Sequence, residues 1–521
     1  MAPLGVACVQ LEALGLECAE EALERALDRV EEAGRYRPEI ILLPECTYPA
    51  YYLRSLEDYR RAELRPVEEV IRLFGEKARR HRAYVAVGLA RPAPSGRLRN
   101  SIALLSPEGE VLGLYDKVFL WHFDREWFEP GTALPVFDLP FGRVGLMICA
   151  DGRMPEIPRA LALQGARLLL DATALVTSIG DPVRRTNPQI VYMLPARALE
   201  NGVWVAVANK VGMEAESVLY CGRSGVIGPD GQYRAMGSPD REEIVLAEVD
   251  LRVAAGPRIR PSKPDPLLTA PVEALPVATR LQEPFLPQAA YLRLGLLQLK
   301  RYTSVPEWIQ RLNELGEVLV RQGAGLVVVS GGPAGPADQA LEALQAFTAR
   351  WQCGLAVPLP EGKAAEEAPL AIYLMDGGRL VGVRRGSDRE GLVVHSIAGV
   401  TMGTLLGSEG WAPEVARGLM LRGAELLVWW AAASEPGLST VARARADENR
   451  VFVALAASVE GGDEAVSAVF DPLGNPLATG VPGVEHGLLV SLFRPLTRHK
   501  EMAPGSHVVF SRNPMAFRFE E

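Results

Sequence analysis

Apolar residues in this chain recur in two rhythms that take turns. Over VEEVIRLFGEKARRHR (67–82) they fall at three- and four-residue intervals, which predicts an amphipathic helix, and the apolar run AYVAVGLA (83–90) that follows predicts a strand. The alternation repeats farther on: PEIPRALALQG (155–165) reads as a helix stopped by Gly165, and RLLLDA (167–172) as the next strand. Two pairs of extended runs around turn residues, SIALLSPEGEVLGLYDK (101–117) and SGVIGPDGQYRAMG (224–237), predict hairpins. Such a succession builds a layered α/β or α+β domain rich in sheet.

The pattern also occurs twice. GLMICADGRMPEIPRALALQGARLLL (145–170) aligns without gaps onto GTLLGSEGWAPEVARGLMLRGAELLV (403–428), with 11 of 26 positions identical. Background usage would give about two. ARALENGVWVAVAN (196–209) pairs in the same way with ARADENRVFVALAA (444–457), and GVIGPDGQ (225–232) with AVFDPLGN (468–475). The period is far too long for a solenoid, so the chain reads as a tandem duplication. The expected domains are residues 1–270 and 290–521, joined by a linker, 271–289, that overlaps a proline-rich stretch (257–287), which should form no regular helix or central strand.

A length of 521 residues agrees with two domains. Their hydrophobic fraction of 48% and charged fraction of 23% are those of a globular protein, and no run approaches the roughly 20 apolar residues that span a bilayer. The net charge of −9 argues against a nucleic-acid partner. The N-terminus has no basic segment of a signal peptide, and the six cysteines, irregularly spaced, suggest neither a disulfide framework nor a zinc site. The expectation is a cytoplasmic protein with no cofactor, metal or membrane partner, monomeric or a higher homo-oligomer.

Chemistry enters at GLMICADGRMPE (145–156). Its apolar run ends in Cys149 and passes into Pro155 and Glu156, residues suited to the first turn of a helix, so Cys149 should sit on a strand-to-helix elbow. Free amides and a helix N-terminus there would lower the thiol's pKa and hold an oxyanion, with the Ala150 amide as a donor. Glu45 ends the apolar run of EIILLPE, where desolvation would raise its pKa toward that of a general base. Lys117 closes VLGLYDK at another strand end, and Glu126 lies in the loop HFDREWFEPG (122–131) between Lys117 and Cys149.

These motifs, LLPE, YDKVFL and GLMICADGRMPE in that order with REWFEPG between the last two, resemble those of the nitrilase, or carbon-nitrogen hydrolase, superfamily. The resemblance covers most of residues 3–270. It implies two tandem αββα sandwich domains forming an intramolecular pseudo-dimer. It also implies a thiol-dependent hydrolase acting on a non-peptide C–N bond of a small amide or N-carbamoyl compound through a cysteine acyl-enzyme. In that reading Glu45 is the base, Lys117 and the Ala150 amide hold the oxyanion, and Glu126 orients substrate and tunes the Lys117–Glu45 pair. Arg153, four residues past Cys149, resembles the carboxylate-binding arginine of carbamoyl amino acid amidohydrolases, although Gly152 stands where those have a second arginine. Trp121, His122, Trp127 and Phe128 are candidate pocket residues.

In the second copy Gly407 aligns with Cys149, Gly331 with Glu45 and Gly386 with Lys117. The interval from the lysine position to the cysteine position shrinks from 32 residues (117 to 149) to 21 (386 to 407). A degenerate, non-catalytic second domain is therefore expected. Two other readings stay open at this point: an acyltransferase that passes the thioester to an amine, and a non-catalytic binding or scaffold protein.

Overall fold

The computed structural model describes residues 3–177, 183–259, 265–360, 370–386, 392–431, 435–459 and 466–514. Part of the proline-rich stretch, 260–264, lies outside them. The chain forms two compact units. The first comprises residues 1–260 together with 501–507 and 511–521, and the second 261–500 with 508–510.

Each unit is an αββα sandwich. In the first, one sheet places Leu4–Glu12, Ile40–Leu42 and Tyr84–Pro92 side by side in parallel and continues antiparallel through Leu98–Leu105 and Val111–Asp116. The other runs from Val136–Leu139 through Gly142–Ile148, Leu168–Ala172 and Trp204–Ala208 to the hairpin of Gly225–Ile227 and Tyr233–Met236. Their facing side chains, among them Val6, Leu42, Ile102, Leu146 and Leu170, form the central core. Helices Ala19–Gly34 and Val67–His81 cover the first sheet by burying Leu23, Val30, Val70 and Phe74. Glu156–Leu163 and Leu194–Asn201 belong to the second half of the unit. This apolar stripe on one helix face, with charge on the other, is what the sequence periodicity requires.

The second unit repeats the design with sheets built around Tyr291–Gln298 and Val400–Leu406. Matching segments adopt matching structure. Strands Gly142–Ile148 and Val400–Leu406 each lead into a tight 3₁₀ turn, Cys149–Arg153 and Gly407–Trp411, and then into a helix, Glu156–Leu163 and Pro413–Leu421. Cys149 and Gly407 even share the same left-handed φ of 50°. A buried ion pair is duplicated too, Arg197 with Glu200 and Arg445 with Glu448.

Two sequence expectations are corrected. The proline-rich stretch does contain a helix, Pro276–Gln282, because Pro276 stands at its first turn, where a missing amide costs nothing. From residue 265 on, the stretch groups with the second unit: Leu268, Leu275 and Val277 are buried, and Arg280 binds Glu425 and the Gly423 carbonyl. At the other end, 501–507 and 511–514 group with the first unit, not with the second domain expected to run to residue 521. Among the described residues no helix is long and apolar enough to cross a membrane.

Candidate active site

The site of the first unit is assembled at strand ends from both of its sheets. Glu45 follows the strand Ile40–Leu42, Lys117 follows Val111–Asp116, and Cys149 follows Gly142–Ile148. Carboxylate and ammonium are both fully buried as side chains, with Glu45 Oε1 2.7 Å from Lys117 Nζ. Asn100 Nδ2 donates to the same oxygen at 2.6 Å, whereas the buried Glu45 Oε2 has no hydrogen-bond partner among the described residues. One carboxylate oxygen is thus clamped and the other is left to accept a proton.

The second carboxylate at Lys117 is Asp124, not Glu126. Asp124 Oδ2 lies 2.7 Å from Lys117 Nζ, also accepts the Trp121 amide at 2.9 Å, and Asp124 Oδ1 accepts the Tyr51 hydroxyl at 2.9 Å. Residues 124–127 form one short helical turn, and Asp124 and Trp127, three positions apart, share its buried face. Glu126, two positions on, points elsewhere and is exposed. Trp127 and Phe128 are buried in an aromatic cluster with Tyr52 and Phe123, so they pack the loop rather than line a pocket. Trp121 is half-buried beneath the Arg153 guanidinium, 5.2 Å from its ring centre. His122 is half-buried at a φ of 43°.

Cys149 is buried on its elbow, held by groups that the sequence did not single out. Asp171 Oδ1 accepts the Cys149 amide at 2.9 Å, Gln189 Nε2 donates to the Cys149 carbonyl at 2.8 Å, and Asp151 accepts the Ile148 amide at 3.0 Å, the Phe119 amide at 2.8 Å and the Tyr115 hydroxyl at 2.7 Å. These bonds hold a non-glycine residue in the left-handed region, at a cost of about 1 kcal/mol.

The electrostatics correct the expected low thiol pKa. Burial pushes the Cys149 thiol well above the ordinary range, the Glu45 carboxylate adds to the rise, and Lys117 opposes it. The elbow does not leave its first amide free, because Asp171 takes it. The thiol therefore rests protonated and needs a base. Glu45 is suited to this: burial raises its pKa, Lys117 opposes that, and Asp124 adds to it. Lys117 is penalised by burial, but Asp124 and Glu45 outweigh that penalty and hold it well above its usual range, as an ammonium.

Of the matching places in the second unit, Gly331 is the crowded one. A Cβ on Gly331 would lie 2.5 Å from the carbonyls of Leu299 and Lys300, and indoles occupy the surroundings: Trp308 donates to the Gly331 carbonyl at 2.9 Å and Trp429, aligned with Asp171, to the Gly407 carbonyl at 2.7 Å. Arg384 and Glu409, paired at 2.7 Å, stand where Tyr115 and Asp151 do in the first unit.

A buried carboxylate, an ammonium and a thiol converging from two stacked sheets make up the equipment of a thiol-dependent acyl-transfer site. The carbon-nitrogen hydrolase family model matches residues 5–257 and 293–492, and the chain belongs to that family. A nitrilase of Pyrococcus abyssi is 32% identical over 256 residues, covering 49% of this chain and 92% of its own length. A bovine (Bos taurus) ω-amidase is 31% identical over 265 residues, covering 49% and 91%. Among solved structures, an amidase from Nesterenkonia sp. matches with 27% identity and a TM-score of 0.42, covering 48% of this chain and 93% of that one. One mutant of the amidase from Nesterenkonia sp. AN1 shows the Michael addition of acrylamide at its active-site cysteine, and another is in complex with butyramide.

Proposed function

We propose that the first unit hydrolyses small amides or N-carbamoyl compounds through a thioester on Cys149. The observation that carries this is the buried Glu45 carboxylate, one oxygen clamped by Lys117 and Asn100 and the other with no hydrogen-bond partner among the described residues, near a thiol whose pKa burial raises. Kinship at 31% identity with a protein named an ω-amidase supports the substrate class.

In the first half-reaction Glu45 takes the thiol proton as sulfur attacks the carbonyl carbon. The oxyanion forms against the Lys117 ammonium and the Ala150 amide, and the C–N bond breaks as Glu45 returns its proton to the leaving nitrogen. In the second, Glu45 takes a proton from water, hydroxide adds to the thioester, and the carboxylic acid leaves as the sulfur regains that proton. Asp124 keeps Lys117 charged and directed. Arg153, beside Trp121, is the group to receive a carboxylate on the substrate. The second unit, with Gly331, Gly386 and Gly407 at the three reactive positions, carries out none of these steps.

The reading is tested by ammonia release from ω-amides, N-carbamoyl amino acids, glutamine and nitriles, with intact-mass detection of the acyl adduct with and without added amine. Turnover of an amide or carbamoyl compound, abolished by Cys149→Ala, is expected. Full activity in Cys149→Ala would refute the assignment, and aminolysis outrunning hydrolysis would make the enzyme a transferase.

A further inference from the structure

The loop from Lys117 to Gly131 delivers Asp124 to the ammonium, yet it is not fastened by its own neighbourhood alone. Three contacts come from the far end of the chain. Ser506, fully buried, accepts the His122 amide on its Oγ at 2.7 Å. Asn513 Nδ2 donates to the Gly131 carbonyl at 3.2 Å, and the Gly131 amide in turn donates to the Lys117 carbonyl at 2.8 Å. Met502 packs against the central core of the first unit, in the same cluster as Trp121.

The segment is itself braced for this task. Glu501–Ala503 and Ser506–His507 pair as a miniature hairpin, Glu501 accepts the Gly505 amide at 2.7 Å, and Ser511 accepts the His507 amide at 2.9 Å while donating to the Gly505 carbonyl at 3.1 Å. Its target is the conformationally costly part of the loop. His122 has a φ of 43°, which a non-glycine residue adopts at a cost of about 1 kcal/mol or more, and it lies two residues before Asp124. An amide in that conformation, if freed, would let the turn relax and carry the carboxylate off the ammonium.

We infer that residues 501–507 and 511–514 are a working part of the catalytic half, with Ser506 and Asn513 as positioning residues that seat Asp124 on Lys117 from either side of the loop. The inference rests on the catalytic reading above, because it assumes that Cys149 reacts under the influence of Glu45 and the Lys117–Asp124 pair. It does not depend on knowing the substrate.

The test uses the full-length protein and the rate at which iodoacetamide alkylates Cys149, located by peptide mapping, so it can be read even without turnover. Displacements of about 1 Å at such sites cost up to a hundredfold. Ser506→Ala and Asn513→Ala are each expected to slow alkylation several-fold or more, and kcat to fall with little change in KM for any substrate found. In an Asp124→Asn background the same substitutions should add less than twofold, because the group they position no longer carries its charge. Ser506→Thr, which keeps the hydroxyl, should restore the rate. Unchanged alkylation in both single variants, or losses that multiply undiminished on Asp124→Asn, would overturn the inference. If Ser506→Ala fails to fold, the half-buried Asn513 decides alone on the same two criteria. If wild type turns over no amide or carbamoyl compound while alkylation still depends on Ser506, the functional reading fails and the positioning role stands.

Discussion

Asp124→Asn isolates the electrostatic part of the site, since the new side chain keeps the shape and one carbonyl oxygen but removes the charge. In the native site Asp124 and Glu45 both touch Lys117 Nζ at 2.7 Å, so two carboxylates share one ammonium in a fully buried cluster of net charge −1. The lost interaction is a hydrogen bond between charged groups, worth about 1.5–3 kcal/mol. With about 1.4 kcal/mol per decade, kcat/KM should fall between about 10- and 100-fold. Stability should move the other way or not at all, because the remaining Glu45–Lys117 pair is neutral and an excess buried charge is gone. The pH profile supplies a sign. Burial is the main cause of the raised Glu45 pKa, Lys117 opposes it, and Asp124 adds to it; removing the Asp124 charge takes away an upward influence, so the acid limb of kcat/KM should move to lower pH. The assay is initial rates of ammonia release from pH 4 to 10 beside urea unfolding of both proteins. An undiminished kcat/KM, or an acid limb displaced upward, would refute the reasoning.

Glu126→Ala should leave kcat and KM within about twofold, because Glu126 is an exposed side chain on the far side of the turn from Asp124; initial rates at saturating and limiting substrate check this. In the second unit, Gly407→Ala meets no neighbouring atom among the described residues and should cost only the conformational penalty of about 1 kcal/mol, whereas a Cβ on Gly410 would lie 2.0 Å from the Trp429 ring and Gly410→Ala should cost several times more; urea midpoints separate them. Lys500 is fully buried, and burial, reinforced by Arg417 and Arg450, holds its pKa well below the usual lysine value. The unfolded chain then binds a proton that the folded one does not, so stability rises with pH up to the ordinary lysine range at about 1.4 kcal/mol per unit, and Lys500→Met should remove that slope in unfolding measured from pH 7 to 10.

Much of the fold was legible because local patterning and tertiary structure agree. The periodicity over 67–82 became the helix Val67–His81, and the apolar run after it became the strand Tyr84–Pro92. The placement of Glu45, Lys117 and Cys149 just beyond strand ends was legible for a related reason, since each follows a run read as extended. Asp124 was missed because a single helical turn reverses which residue of FDRE faces inward; the spacing of Asp124 to Trp127, i to i+3, was the available signal. Asp171 carried a weaker clue, as the one polar residue of the otherwise apolar strand Leu168–Ala172. Nothing local marks Ser506 or Asn513, because their partners lie 384 and 382 residues away, and no pattern of nearby residues encodes such a pairing. The thiol's raised pKa was also beyond local reading, since it depends on how deeply the packed sheets bury the elbow.

The shared φ of Cys149 and Gly407 makes the two copies unequal in the directions open to them. Replacing a residue at 50° with glycine relieves backbone strain, so losing the thiol is downhill; regaining it is uphill, and regaining a carboxylate at Gly331 meets two carbonyls 2.5 Å from where its Cβ must go. The change at these positions behaves as a ratchet. Of the aligned positions, Gly331 is thus the one where a side chain would demand a shift of the backbone around it, whereas at Gly407 only the left-handed conformation resists.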